Sequence, residues 1–130
     1  MSVFTSQMRI YTVNFNTEKM MYEAEILEIP IESGAHQSNA LNEILECDGV
    51  DIVDYSEDIA LIVDDQGKFK PGNPVFEIVV EDGYKLELYG KIVFARNVYN
   101  EDSVDLAGLS LEEIEKLRNS LHINLIGILK

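Results

Sequence analysis

Basic residues are scarce in this chain: ten Lys and Arg stand against 24 Asp and Glu, giving a formal net charge of −14. A body charged in this way repels nucleic-acid backbones and anionic lipid surfaces, so direct binding of DNA, RNA or membrane is disfavoured. Cysteine is rarer still. Cys47 stands alone, which excludes an intrachain disulfide. No run of about 18 apolar residues is present to cross a bilayer, and no secretory leader opens the sequence. The expected compartment is the reducing cytoplasm. There is no Gly-rich phosphate loop, no basic patch interleaved with aromatics, no repeat at a fixed period and no low-complexity tract. Prolines are few, and Pro30, Pro71 and Pro74 all fall in predicted connections.

Catalytic signatures are equally thin. Nucleophilic catalysis needs a Ser or Cys beside an oriented base, yet no Gly-flanked nucleophile turn occurs and His36 and His122 are the only imidazoles. Neither histidine belongs to a metal-ligating pair at i and i+4, and each reads as structural. Cys47 falls at the end of a predicted helix, where a buried or half-buried structural thiol is the usual case. The carboxylates Asp51, Asp54, Glu57 and Asp58 do not follow the order of an EF-hand loop. The stretch "NEDSVD" gathers Asn100, Glu101, Asp102 and Asp105 and is the better candidate for a metal-assisted hydrolase, although polar loops of this kind ordinarily cap and turn. No enzyme activity, metal or cofactor is expected.

What the chain does have is enough apolar content, 46% of 130 residues, for one domain with a core that needs no staple. "MRIYTVNFN" (8–16) sets Tyr11, Val13 and Phe15 against Ile10, Thr12 and Asn14 at strand period. "NTEK" then turns into "MMYEAEILEI", predicting a hairpin. Gly34 breaks the chain, Ser38 or Asn39 can cap, and Leu41, Ile44 and Leu45 recur at helical spacing until Asp48 and Gly49. Two apolar strands follow, "VDIVDY" and "IALIVDD". "VFEIVV" and "YKLELYG" flank Asp82-Gly83, read as a hairpin with positive φ at both turn positions. "KIVFAR" continues as a strand after a bend at Gly90, and 97–109 reads as a polar loop. Ser110 and Glu113 match a capping box ahead of the apolar face Leu111, Ile114, Leu117 and Leu121. "HINLIGIL" closes as a strand. The pattern predicts a single α+β domain over 1–130, with a mixed, mostly antiparallel sheet and two short helices packed on it.

The charge is unevenly placed. From Met20 to Gly67 the chain carries 13 Asp and Glu and no Lys or Arg. In "DIVDYSEDIALIVDD", Asp51 is expected to face solvent, Asp54, Glu57 and Asp58 border a turn, and Asp64 and Asp65 leave the next strand. Together they would form an acidic rim that imitates a row of phosphates, since basic grooves select mainly on charge. The plain alternative is a solvated set of charges that keeps the protein dispersed and its strand edges unpaired. A second candidate site lies in "RNVYNEDS", a pocket of Arg96, Asn97, Tyr99, Asn100, Glu101 and Asp102 in which Arg96, Asn97 and Tyr99 could hold phosphate, base and ribose of a sequestered nucleotide.

Roughly residues 58–121 also resemble a domain family of unknown function found largely in bacterial viruses and mobile elements. The likeness rests on order: a strand ending "DDQGK", the pair Asn73-Pro74 leading a hairpin, "GKIVFARN", and a helix opening "LSLEEI". The family has no settled catalytic residues to transfer. The resemblance implies a small acidic accessory protein of a phage or plasmid, of the kind that interferes with host defence as anti-CRISPR proteins do. The expected partner is a basic surface of a host protein such as a nuclease, with homo-oligomerisation left open. The alternative is a protein that sequesters a small molecule or nucleotide.

Overall fold

The structure is a computed structural model that describes residues 7–30, 37–102 and 104–130. Gly34, His36 and Ser103, which figured in the expectations above, lie outside the described residues. The elements run β1 (Gln7–Asn16), β2 (Met21–Pro30), α1 (Gln37–Leu45), β3 (Val50–Asp54), β4 (Ile59–Asp64), a 3-10 turn over Gly67–Phe69, β5 (Pro74–Val79), β6 (Lys85–Tyr89), β7 (Ile92–Tyr99), β8 (Val104–Ala107), α2 (Leu111–Ser120) and β9 (His122–Ile128). The α+β class is as expected, with every strand pairing antiparallel among the described residues.

One sheet was expected and two are found. The larger runs β2-β1-β7-β4-β3 with β8 added to β7, and the smaller runs β6-β5-β9. β7 is long enough to serve two neighbours on one edge: its first half pairs with β1 around Phe94 and its second half with β8, from Arg96 opposite Ala107 to Tyr99 opposite Val104. The polar loop predicted over 97–109 is therefore largely strand. Its polar residues misled the reading because the hairpin stands at the sheet margin, where one face is wet.

The larger sheet is covered on both faces. Tyr11, Val13, Phe15, Leu61, Val63, Ile92 and Phe94 meet Phe76, Ile78 and Leu88 of the smaller sheet and Ile114 and Leu117 of α2. On the opposite face, Met8, Ile10, Ile62, Val93 and Ala95 are roofed by Leu41 and Leu45 of α1. This is why β1, read as an alternating strand with one buried side, also buries Ile10 and Thr12. Tyr22 ties the far corner, its ring edge-on to Phe15 at 5.2 Å and its hydroxyl accepting the Leu125 N–H at 2.8 Å.

Three turns fix the frame. Asn16 Oδ1 accepts from the amides of Glu18 and Lys19, both at 3.0 Å, an Asx turn that uses the polar stretch as expected. α1 ends earlier than Gly49, with Glu46 in the left-handed region at φ 53°. The Asp82-Gly83 hairpin is real but of another type. Positive φ occurs at Gly83 alone, at 92°, and Gly83 N–H reaches Val80 O while Val80 N–H reaches Tyr84 O, both at 2.9 Å. That is a three-residue loop, a type I turn closed by a left-handed glycine, and it leaves Glu81 at an ordinary turn position.

Candidate functional site

The acidic turn between β3 and β4 is held by a network of hydrogen bonds. Tyr55 anchors it from inside: the residue is 8% exposed and its ring stands edge-on to Phe94 with centroids 6.0 Å apart. The Tyr55 and Ser56 amides both donate to Ile59 O, at 2.9 and 3.1 Å, and Ser56 Oγ accepts the Ile59 amide at 3.1 Å. A buried aromatic at the head of a turn converts a floppy connection into a fixed one, because moving the turn would expose its ring.

Three residues, Asn97, Tyr99 and Glu81, clamp the turn from outside its own chain segment. Asn97 is 5% exposed, and its Nδ2 donates to Asp54 Oδ1 at 3.1 Å and Glu57 O at 3.4 Å. Its backbone amide donates to Asp58 O at 2.8 Å. Tyr99 Oη donates to the same Glu57 O at 2.6 Å. From the smaller sheet, Glu81 N–H donates to Tyr55 O at 2.9 Å. A buried amide side chain without partners would cost about 1–3 kcal/mol, so an Asn in the apolar run "KIVFARNVY" had to be matched by acceptors somewhere. Here the acceptors are the acidic turn itself. Loss of solvent, followed by the nearby Asp54, Glu57 and Asp58 charges, pushes the Tyr99 phenol above its ordinary range, since a phenolate there would be a further negative charge in an acidic corner.

Part of each candidate site read from sequence meets here, with Asn97 and Tyr99 of the second holding the turn of the first. Asp54, Glu57 and Asp58 come together on the turn with Asn97 and Tyr99. Arg96 does not join them. Strand alternation puts it on the face of Phe94, where its guanidinium pairs with Glu113 of α2. Glu113 is doubly engaged, because its Oε1 also accepts the Ser110 amide at 2.9 Å to complete the predicted capping box. Asp51 lies mid-strand in register with Val63, and Val53 beside it packs into the inter-sheet core, so Asp51 and Asp54 fall on opposite faces of β3. Asp64 and Asp65 leave the far end of β4, roughly 16 Å from Ile59 by strand rise. Asp64 is already committed: its Oδ2 lies 2.5 Å from Lys70 Nζ and its Oδ1 accepts the Gln66 amide at 2.9 Å. Among the described residues, no ion pair is made by Asp51, Asp54, Glu57, Asp58 or Asp65.

The stretch Asn100 to Asp105 closes on itself, the Asn100 amide donating to the Asp105 carboxylate, with Glu101 and Asp102 exposed on the bend. Among the described residues, no group of three or more His, Cys, Asp or Glu side chains is placed to hold a metal ion. The grouping of Glu101, Asp102 and Asp105 suggested by sequence is therefore not formed. Cys47 is half-buried, its Sγ 3.6 Å from Asn42 Oδ1. Burial first, then the Asp64 charge, pushes its thiol up, the opposite of what a nucleophile needs.

Beside the acidic turn, a groove of about 590 Å³ opens between that turn, the β5–β6 loop and α2, with Asp58, Ile59, Val80, Glu81 and Leu117 among its walls. Sequence reading missed this groove and the part played by Glu81, because both depend on the smaller sheet bringing its loop against Tyr55. Among the described residues no helix is long and apolar enough to cross a membrane. In comparison with known proteins, residues 8–122 match a family model described as a domain of unknown function (DUF3846). No curated protein and no solved structure matches the chain.

Proposed function

The chain belongs to that DUF3846 family, and on this premise we propose that it is a non-catalytic binding protein that docks its acidic β3–β4 turn on a cationic surface of a partner protein. The observation that carries the reading is the double hold on Glu57 O by Asn97 and Tyr99. Charges on a mobile loop lose affinity to ordering on binding, whereas charges on a clamped turn are presented already ordered. Glu57 and Asp58 are exposed and make no ion pair among the described residues, in a chain of net charge −14. Such an end steers a basic partner and repels nucleic acid. The setting we propose is the one the resemblance implied: an accessory protein of a phage or mobile element whose partner is a host defence or nucleic-acid-handling protein, reached in the cytoplasm.

The test is capture from host lysate by the parent and by a Glu57→Lys, Asp58→Lys variant, at low and high salt. The expected result is a partner retained by the parent at low salt, shed at high salt and absent from the variant. An Asp51→Lys, Asp65→Lys protein reverses as much charge away from the turn and is expected to keep the partner. Retention of the partner by the turn variant would refute the proposal.

A further inference from the structure

The groove beside the acidic turn has a chemistry of its own. Its floor is apolar, formed by Ile59, Val80 and Leu117, while Asp58 and Glu81 stand on two different walls. Those walls are fastened to each other by the Glu81 N–H to Tyr55 O bond of 2.9 Å. The other charges that line the groove are already engaged: Glu113 with Arg96, and Lys116 with Glu112 at 3.8 Å. His122, which is exposed, also lines the groove. Asp58 and Glu81 are the carboxylates of the groove that have no ion pair among the described residues. At about 590 Å³ the space is of the size that holds small ligands or a long side chain.

We infer that this groove receives an arginine side chain of the partner protein, its methylene stem on Ile59, Val80 and Leu117 and its guanidinium between the carboxylates of Asp58 and Glu81. An apolar floor beneath two unpaired carboxylates matches a side chain with an apolar stem and a cationic head. Arginine fits better than lysine because its planar fork offers donors in several directions and can serve carboxylates on two walls, while an ammonium is a strongly hydrated point charge. This inference rests on the docking function proposed for the turn, since Asp58 belongs to both, and it adds the residue type that the partner must insert.

The probe is arginine capped as its Nα-acetyl, N-methylamide derivative, titrated into the full chain and followed by NMR. Capped lysine and capped citrulline, the neutral isostere of arginine, are run alongside. Saturable shifts at Ile59, Val80, Leu117 and His122 are expected with arginine, weaker ones with lysine and none with citrulline. Glu81→Gln, an isosteric change on an exposed turn, is expected to weaken capped arginine about tenfold, the loss of one charge-assisted contact. Ser120→Trp, which fills the groove from α2, is expected to abolish binding. No saturable shift with arginine, or equal binding of citrulline or lysine, would overturn the inference. Should arginine fail while the parent still holds its partner in a salt-dependent way, the groove is refuted and the docking turn stands. Should arginine bind as expected while reversal of Glu57 and Asp58 leaves the partner in place, the docking reading is refuted and the groove remains an arginine site.

Discussion

Asn97→Ala is the substitution that examines the clamp most sharply. The change removes two side-chain hydrogen bonds, one to the Asp54 carboxylate at 3.1 Å and one to Glu57 O at 3.4 Å, and leaves the backbone bond from residue 97 to Asp58 O. A bond to a charged acceptor contributes about 1.5–3 kcal/mol and a neutral one about 0.5–1.5. Asp54 is exposed, so water re-solvates its carboxylate and the lower ends of both ranges apply. The expected loss is about 2 kcal/mol, read from urea unfolding with an unchanged m-value. Tyr99→Phe removes the 2.6 Å bond to the same carbonyl and is expected to destabilise less than Asn97→Ala, because water can replace a partner at this exposed position. Because both side chains serve Glu57 O, the double variant should depart from additivity by about 0.5 kcal/mol or more. Hydrogen exchange offers a local readout: the Tyr55 and Ser56 amides, which donate to Ile59 O, should lose protection in Asn97→Ala before the core amides do. Unchanged stability together with unchanged protection of Tyr55 and Ser56 would refute the clamp.

Four other outcomes are expected. Leu117→Asp places an unpaired charge in the inter-sheet core, where Leu117 is 2% exposed, and should destabilise by several kcal/mol in thermal unfolding. Gly67→Ala sets a Cβ 2.6 Å from the Tyr89 carbonyl oxygen, which is backbone and cannot step aside, so a cost of about 1–3 kcal/mol is expected from denaturant titration. Gly49→Ala meets the Asp65 carboxylate, with Oδ2 nearest at 2.7 Å, the end of an exposed side chain, and should stay within about 0.5 kcal/mol of the parent. Cys47, whose folded thiol is pushed above its ordinary value by burial and by Asp64, should react with a disulfide reagent more slowly in the folded than in the urea-unfolded chain at mildly alkaline pH. The linkage follows the same sign: a raised folded pKa favours the fold below the unfolded thiol's pKa, and that contribution fades as pH rises through the folded value.

Local signals in the sequence were reliable where the structure is locally determined. The strand period of 8–16, the Asn16 turn and the Ser110–Glu113 capping box are all formed by residues within a few positions of one another, and all are present. The Asp-Gly dipeptide correctly marked a hairpin, but its type depended on loop length, which the dipeptide does not encode. The division into two sheets was not legible, because an apolar strand such as "VFEIVV" reads the same whether it joins the larger sheet or faces it. The acidic turn was visible as charge, and its residues Asp54, Glu57 and Asp58 do cluster. Its wider rim was not testable by counting, since parity along β3 separates Asp51 from Asp54 and Lys70 occupies Asp64. Asn97 was read from sequence as part of a polar loop that could hold a ligand; in the fold it lies on β7, and its side chain bonds to the protein's own turn, 40 and 43 residues away in the chain.

The claim at the centre of this account is that the charges of one clamped turn govern docking, rather than the net charge of the whole chain. Its most direct measurement is the dissociation constant of the captured partner for the parent, for Glu57→Lys, Asp58→Lys, and for Asp51→Lys, Asp65→Lys, each at two salt concentrations. The two variants have the same net charge. The turn variant alone should lose at least about tenfold in affinity and show a flattened salt dependence, with the distal variant close to the parent. Equal weakening of both variants would contradict the claim and leave the acidity as a diffuse property of the surface.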